Sequence, residues 1–210
     1  NKESLPVWRD FIRNMSKRGL PVPTLVVTDG APALVAAVEE LWPKSLRQRC
    51  VMHKTRNILD KVPQSAQPEM KQRLQAIWNA PNRATAEILL QDFLATYDQP
   101  YPSAVACLLD DLEACLAFLR CPVLHHRRIR TTNLIERAFA EQRRRTKTMP
   151  RFFDERSCLK LVFATLWQTS ERWQRVGMSD LELAMLRRLR RELDLEPITV
   201  APAAPQSMAV

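Results

Sequence analysis

The chain has 210 residues, 46% of them hydrophobic, and a formal net charge of +9. That length and apolar content suit one sizeable domain, or a core interrupted by an insertion, and exclude a chain disordered by composition. No apolar run approaches the roughly 18 residues of a membrane span, and the polar start Asn1-Lys2-Glu3 is not a signal peptide, so no membrane partner is expected. Cys50, Cys107, Cys115, Cys121 and Cys158 are odd in number, widely spaced and mostly set in apolar helical pattern, which fits reduced thiols in a cytoplasmic protein. The chain begins without Met, and is expected to be processed or to be the downstream part of a longer reading frame.

In chain order, Ser4 is placed to cap a helix carrying Val7, Trp8, Phe11, Ile12 and Met15 at helical spacing, with Gly19 as its stop. Leu25-Val26-Val27-Thr28 reads as a short buried strand with Asp29 and Gly30 at its carboxyl end. Pro32 suits the first turn of the next helix, whose apolar positions run through Leu34, Val35, Val38, Leu41 and Trp42 to a stop at Pro43. Helix, strand, acid, helix is an α/β signature. Leu46 to Met52 is a second strand, although Arg47, Gln48 and Arg49 are poor strand formers, and a short helix follows through Ile58 and Leu59.

From Pro68 to Leu119 the periodicity is helical throughout. Ala86, Leu89, Leu90, Phe93, Leu94 and Tyr97 form one stripe, and Val105, Leu108, Leu109, Leu112, Cys115, Leu116 and Leu119 form another after Pro100 and Pro102. Further helices are expected beyond Asn133, around Leu159 to Trp167, and from a capping box at Ser179 and Glu182, where Leu186, Leu189 and Leu193 give an apolar side and Arg187, Arg188, Arg190 and Arg191 face elsewhere. The tryptophans at 8, 42, 78, 167 and 173 fall at amphipathic positions and are assigned to the core. The tail from Ile198 is rich in Pro and Ala and is expected to be unstructured.

Charge is uneven along the chain. Between Arg120 and Arg156 there are eleven Lys/Arg against four Asp/Glu, a cluster suited to nucleic-acid phosphate or, in the bland reading, to a solvated basic helix face. Asp29 ends a buried strand, where open α/β sheets place ligands, though an Asp-Gly turn or a helix cap accounts for it equally. Asn133 and Glu136 have the spacing of a capping box, which would make that carboxylate structural. Against that, Glu136, Ala140, Arg143 and Lys147 share one helical face while Leu134, Ile135, Ala138 and Phe139 point largely toward the core. Two carboxylates from a strand end and a distant helix suit Mg²⁺, but hold a pair of ions only with a third oxygen ligand. Cys50 and His53 are a C-x-x-H pair whose zinc-completing partners, Cys121 and His125 or His126, lie far off in sequence; zinc is not expected, and His125-His126 is assigned to the basic run.

These pieces carry a resemblance. Leu25-Val26-Val27-Thr28-Asp29-Gly30, Gln48-Arg49-Cys50-Val51-Met52-His53 with Arg56-Asn57, Thr131-Thr132-Asn133-Leu134-Ile135-Glu136-Arg137 leading into Arg143-Arg144-Arg145-Thr146-Lys147, and Trp173 stand in the order of the mutator-type transposases of bacterial insertion sequences, which the chain resembles over about residues 1 to 175. The resemblance implies a ribonuclease-H-like core, here partial, with two of the expected strands, in which two Asp and one Glu hold Mg²⁺ or Mn²⁺ for strand cleavage and transfer of transposon DNA. Asp29 matches the second acid and Glu136 the third; Cys50 and His53 match the C-x-x-H element between them. The first Asp and an amino-terminal DNA-binding region would lie upstream.

The implied partners are double-stranded DNA, at transposon ends and target, and further copies of the chain. Arg137, Arg143, Arg144, Arg145 and Lys147 are the candidate phosphate contacts. The organisation expected is core over 1–63 with the second acid, helical insertion over 64–125, core helices with the third acid over 126–175, a terminal helix over 176–197 and a tail over 198–210. The rival is a truncated or domesticated remnant that binds DNA or a transposase without chemistry.

Overall fold

The computed structural model describes residues 3–147, 149, 151–171 and 177–197. Trp173 and the tail from 198 fall outside the described residues.

Helix α1 (Leu5–Lys17) follows Ser4, whose side chain makes no capping bond, and ends before Gly19 at φ 95°. Its Ile12 is buried against Ala37, Val38 and Trp42 of α2 (Pro32–Leu41) and its end, with Trp8, Met15, Leu34 and Val26 packed around them. Strands β1 (Leu25–Thr28) and β2 (Leu46–Arg49) pair in parallel, Leu25 opposite Leu46 and Thr28 opposite Arg49, with α2 as the crossover. They form a two-stranded sheet in an otherwise mostly helical chain.

The three residues that argued against β2 each have a tertiary role. Arg47 forms ion pairs with Asp111, where the Nη1 to Oδ2 distance is 2.9 Å, and with Glu39 at 3.1 Å. Gln48 is fully buried; its Nε2 donates to Arg49 O (2.7 Å) and Cys115 O (2.9 Å), and its Oε1 accepts from Phe118 N (2.7 Å). Arg49 lies against Gly30, as described below.

Helix α3 (Val51–Leu59) starts directly from β2, and helices α4 (Gln67–Trp78), α5 (Arg83–Tyr97), α6 (Pro102–Leu109) and α7 (Leu112–Leu116) follow. Met70, Leu74, Ile77, Phe93, Leu108 and Phe118 share one core with Ile58 and Val51, so this helical segment packs continuously onto α3. The stripe from Val105 to Leu119 is not one helix: Asp111 adopts φ 70°, the left-handed region, and the chain breaks there between α6 and α7. The break serves docking. Asp111 meets Arg47, and the Asp110 carbonyl accepts a hydrogen bond from the buried Lys54 ammonium.

After a short helix α8 (His126–Ile129) come α9 (Asn133–Thr146), α10 (Glu155–Glu171) and α11 (Asp180–Glu192). The capping box of Ser179 and Glu182 forms as expected. Arg190, expected to face elsewhere than the apolar side of its helix, is buried and fixes α11 to the approach to β1, with Nη1 donating to Val22 O (3.0 Å) and Thr24 Oγ1 (2.9 Å). His125 and His126 are buried and not part of an exposed basic run. On α9 only Ala138 is buried; Leu134, Ile135 and Phe139 are exposed, contrary to their assignment to the core, and so is Trp167 on α10.

Candidate active site and nucleic-acid interface

Asp29 leaves β1 at the end of the sheet. Its Oδ1 accepts from Ala31 N (3.0 Å), closing a tight turn through Gly30 at φ 90° into the first turn of α2, so the turn reading of Asp29 holds for one oxygen. The side chain is exposed, and its other oxygen has no protein donor among the described residues.

A continuous set of hydrogen bonds runs from this strand end to the start of α9. Cys50 N donates to Thr28 O (2.8 Å), extending the ladder by one residue beyond β2. Cys50 Sγ accepts from Thr132 N at 3.4 Å and lies 3.3 Å from Thr132 Oγ1, while Val51 N donates to Arg130 O at 3.0 Å. Thr132 Oγ1 in turn hydrogen-bonds Glu136 Oε1. A hydroxyl has one proton, and the carboxylate is the stronger acceptor, so Thr132 donates to Glu136 and the Cys50 thiol donates back to Thr132.

Thr132, not Asn133, is therefore the residue before the helix that engages Glu136; Asn133 is the first helical residue and the Asn133 capping box does not form. Glu136 is left exposed, with one oxygen oriented by Thr132 and the other without a protein donor among the described residues. The strand end that carries Asp29 and the first turn of α9 that carries Glu136 are thus joined through Thr28, Cys50 and Thr132.

Arg49, within the Gln48-Arg49-Cys50 motif, lies against the Asp29 turn. A Cβ placed on Gly30 would fall 0.5 Å from Arg49 Nη1, so the guanidinium occupies the space that the glycine leaves open, beside Asp29. With the Asn57 amide oriented to satisfy both neighbours, its oxygen accepts from Arg49 Nη2 (3.2 Å) and its nitrogen donates to His53 O (3.2 Å). The register that sets Arg49 opposite Thr28 brings it here.

The C-x-x-H pair points to different partners: Cys50 faces Thr132, and His53 Nδ1 is buried without one. Cys121 O takes the His126 Nε2 at 2.7 Å, and His125 Nε2 lies 3.3 Å from Glu182 Oε1. Among the described residues no three His, Cys, Asp or Glu side chains gather as a metal-binding group.

The cations expected to line α9 divide into two sets. Arg144 and Arg145 both pair with Glu141, at 2.9 and 2.8 Å, and these contacts hold the Glu141 carboxyl down to about 2. Arg137, Arg143 and Lys147 are exposed and have no acidic partner among the described residues. Arg127 and Arg128 of α8, passed over in the sequence, are exposed and unpaired in the same sense. Arg130 has a structural task, donating to Trp78 O and, at 2.8 Å, to Asn79 Oδ1.

Residues 1–176 match the family model described as Transposase, Mutator family. The chain belongs to the Mutator family of transposases. It is 42% identical over 173 residues to the transposase for insertion sequence element IST2 of Acidithiobacillus ferrooxidans, covering 82% of this chain and 58% of that one. It is 34% identical over 207 residues to the transposase for insertion sequence element IS6120 of Mycolicibacterium smegmatis, covering 94% and 64%. The chain therefore spans less than two thirds of either relative's length. The Mutator-family match takes in the β1–α2–β2 unit, the C-x-x-H helix and α9, and ends before α11.

Proposed function

We propose that this chain is part of a transposase that cleaves and transfers DNA strands during transposition of an insertion sequence, with Asp29 and Glu136 as metal-binding carboxylates of a partial ribonuclease-H-like core. What supports this reading is the hydrogen-bonded path Thr28–Cys50–Thr132–Glu136, which links the strand end bearing Asp29 to the first turn of α9 bearing Glu136. Its donor set suits Mg²⁺ or Mn²⁺: two carboxylates, each with one oxygen oriented by the protein and one left over, are hard ligands that favour small divalent cations. When bound, such a cation supplies Lewis acidity for an in-line displacement at phosphorus.

The protein's own contribution is orientation and charge. Ala31 N fixes the Asp29 carboxylate and Thr132 fixes Glu136, which lowers the reorganisation needed when a scissile phosphate arrives. Arg137, Arg143 and Lys147 offer unpaired cations for the flanking backbone, a sequence-independent contact that weakens steeply with salt. In the full-length protein, Asp29→Asn and Glu136→Gln should each abolish strand transfer of transposon-end DNA while leaving DNA affinity within about threefold, since neither removes a cation. Retained transfer by either variant would remove that residue from the site.

A second reading is binding without chemistry. Among the described residues the catalytic reading draws on Asp29 and Glu136 alone, and two carboxylates are few for a pair of ions. Metal-dependent nicking of transposon-end DNA by the full-length protein separates the two.

A further inference from the structure

Beside Glu136, on the side of the first turn of α9 that faces α8 and the end of α4, lies a cleft of about 630 Å³. Three features of its lining belong together. Arg127, Arg128 and Arg137 line it and have no acidic partner among the described residues, so its charge is uncompensated. Gln75, Asn79 and Asn133 add side-chain amides, each able to donate and accept. Met52, Leu124 and Leu134 line it as well and are 51%, 75% and 38% exposed, an apolar surface left open to solvent.

We propose that this cleft binds a single unpaired nucleotide of the DNA strand held at the Asp29–Glu136 corner, with its phosphate on the arginines and its base against the Met52, Leu124 and Leu134 side chains. The inference rests on the transposase reading for its substrate. Charge complementarity selects a polyanion, and the remaining chemistry selects the unpaired form. A duplex backbone offers phosphates and sugars and leaves no base face for an apolar wall, whereas an unpaired base exposes both a flat apolar face and its hydrogen-bonding edge. The volume is that of a small-ligand pocket and suits one nucleotide. Position gives the cleft its purpose. Asn133, Leu134 and Arg137 lie within one turn of Glu136, about 5 Å of helix rise, so the nucleotide held there would be next to the reacting phosphate.

The test is binding and needs no catalysis. Fluorescence anisotropy of the purified chain is measured with a short blunt duplex and with the same duplex carrying one unpaired terminal nucleotide, at one fixed salt concentration. The unpaired probe should bind about tenfold more tightly, the size of one base contact. The double variant Met52→Ser/Leu134→Ser should erase that preference and keep the blunt-duplex affinity within about threefold. Arg127→Gln/Arg128→Gln should weaken the unpaired probe most, whereas Arg187→Gln/Arg191→Gln, which removes as much charge from α11, should keep the preference.

All of these positions are exposed, so the fold should survive substitution, and unchanged circular dichroism and melting would check this. Equal binding of the two probes, binding of neither, or a preference that survives both cleft variants would overturn the proposal. Loss of strand transfer in Glu136→Gln with no discrimination between the probes would leave the transposase reading standing and sink this one; the converse result would do the opposite.

Discussion

Gly30 and Arg49 compete for one small volume, and which residue fills it decides how the Asp29 turn is built. At φ 90° a side chain costs about 1 kcal/mol or more from the backbone alone, and at Gly30 its Cβ would also displace the Arg49 guanidinium. Gly30→Ala should therefore destabilise the chain by roughly 2–3 kcal/mol in urea unfolding, and by only about 1–2 kcal/mol when Arg49→Ala is already present. Equal costs in both backgrounds would show that Arg49 moves aside freely. The places of Asp29 after a strand and Glu136 in a first helical turn were legible because each sits at a predicted element boundary. The position of Arg49 was not, because it depends on the parallel register of two strands and on the distant Gly30; nothing local to Arg49 announces either.

At the level of elements, β2 shows how a sequence that argues against a strand can still form one. Gln48 bonds the backbone of α7 and the following turn, so a side chain ties β2 to the helical segment. Gln48→Leu would keep the volume and lose three hydrogen bonds, stranding Cys115 O and Phe118 N in the interior. Unsatisfied buried groups cost about 1–3 kcal/mol each, so a loss of roughly 3 kcal/mol in chemical denaturation is expected, with no change if water enters to replace the amide. The helical stripes were legible from their period. The break at Asp111 was not, because its cause is the distant partner Arg47.

The short helix α8, which leads from this segment to α9, also carries a pH dependence. His126 has its Nε2 on Cys121 O and Phe118 edge-on at 5.0 Å, and burial holds its imidazole below the usual value, with Arg130 and His125 adding repulsion. The unfolded chain, with His near 6.5, thus takes up this proton first as pH falls. Stability from this group is complete above about pH 6.5 and declines below it, toward the lower folded value. Urea midpoints should fall between about pH 7.5 and 5, and His126→Gln, which keeps a donor for Cys121 O, should flatten that slope. An unchanged slope would place the proton uptake elsewhere.

Across the whole molecule, apolar surface is unevenly shared between its parts. The α3–α7 core is closed over Phe93, Met70 and Phe118, whereas α9 and α10 pack on each other and leave Ile135, Phe139, Leu159, Phe163 and Trp167 at 43% to 66% exposure. Phe163 and Trp167 adjoin, with ring centroids 5.9 Å apart, so the exposure is a patch and not a scatter. The sheet adds to it: the outer side of β2 is met by α7, but among the described residues no third strand pairs with β1. Soluble monomers rarely leave such surfaces open, since water contact with each large apolar side chain forgoes about 1.5–3 kcal/mol of burial. This chain should therefore self-associate when purified alone. Sedimentation velocity at micromolar concentration should show species larger than 24.3 kDa. Phe163→Glu with Trp167→Glu should move the distribution toward monomer without loss of helical circular dichroism, because neither side chain is enclosed. A monodisperse monomer of the unsubstituted chain would mean that the α9–α10 face is tolerated by water as it stands.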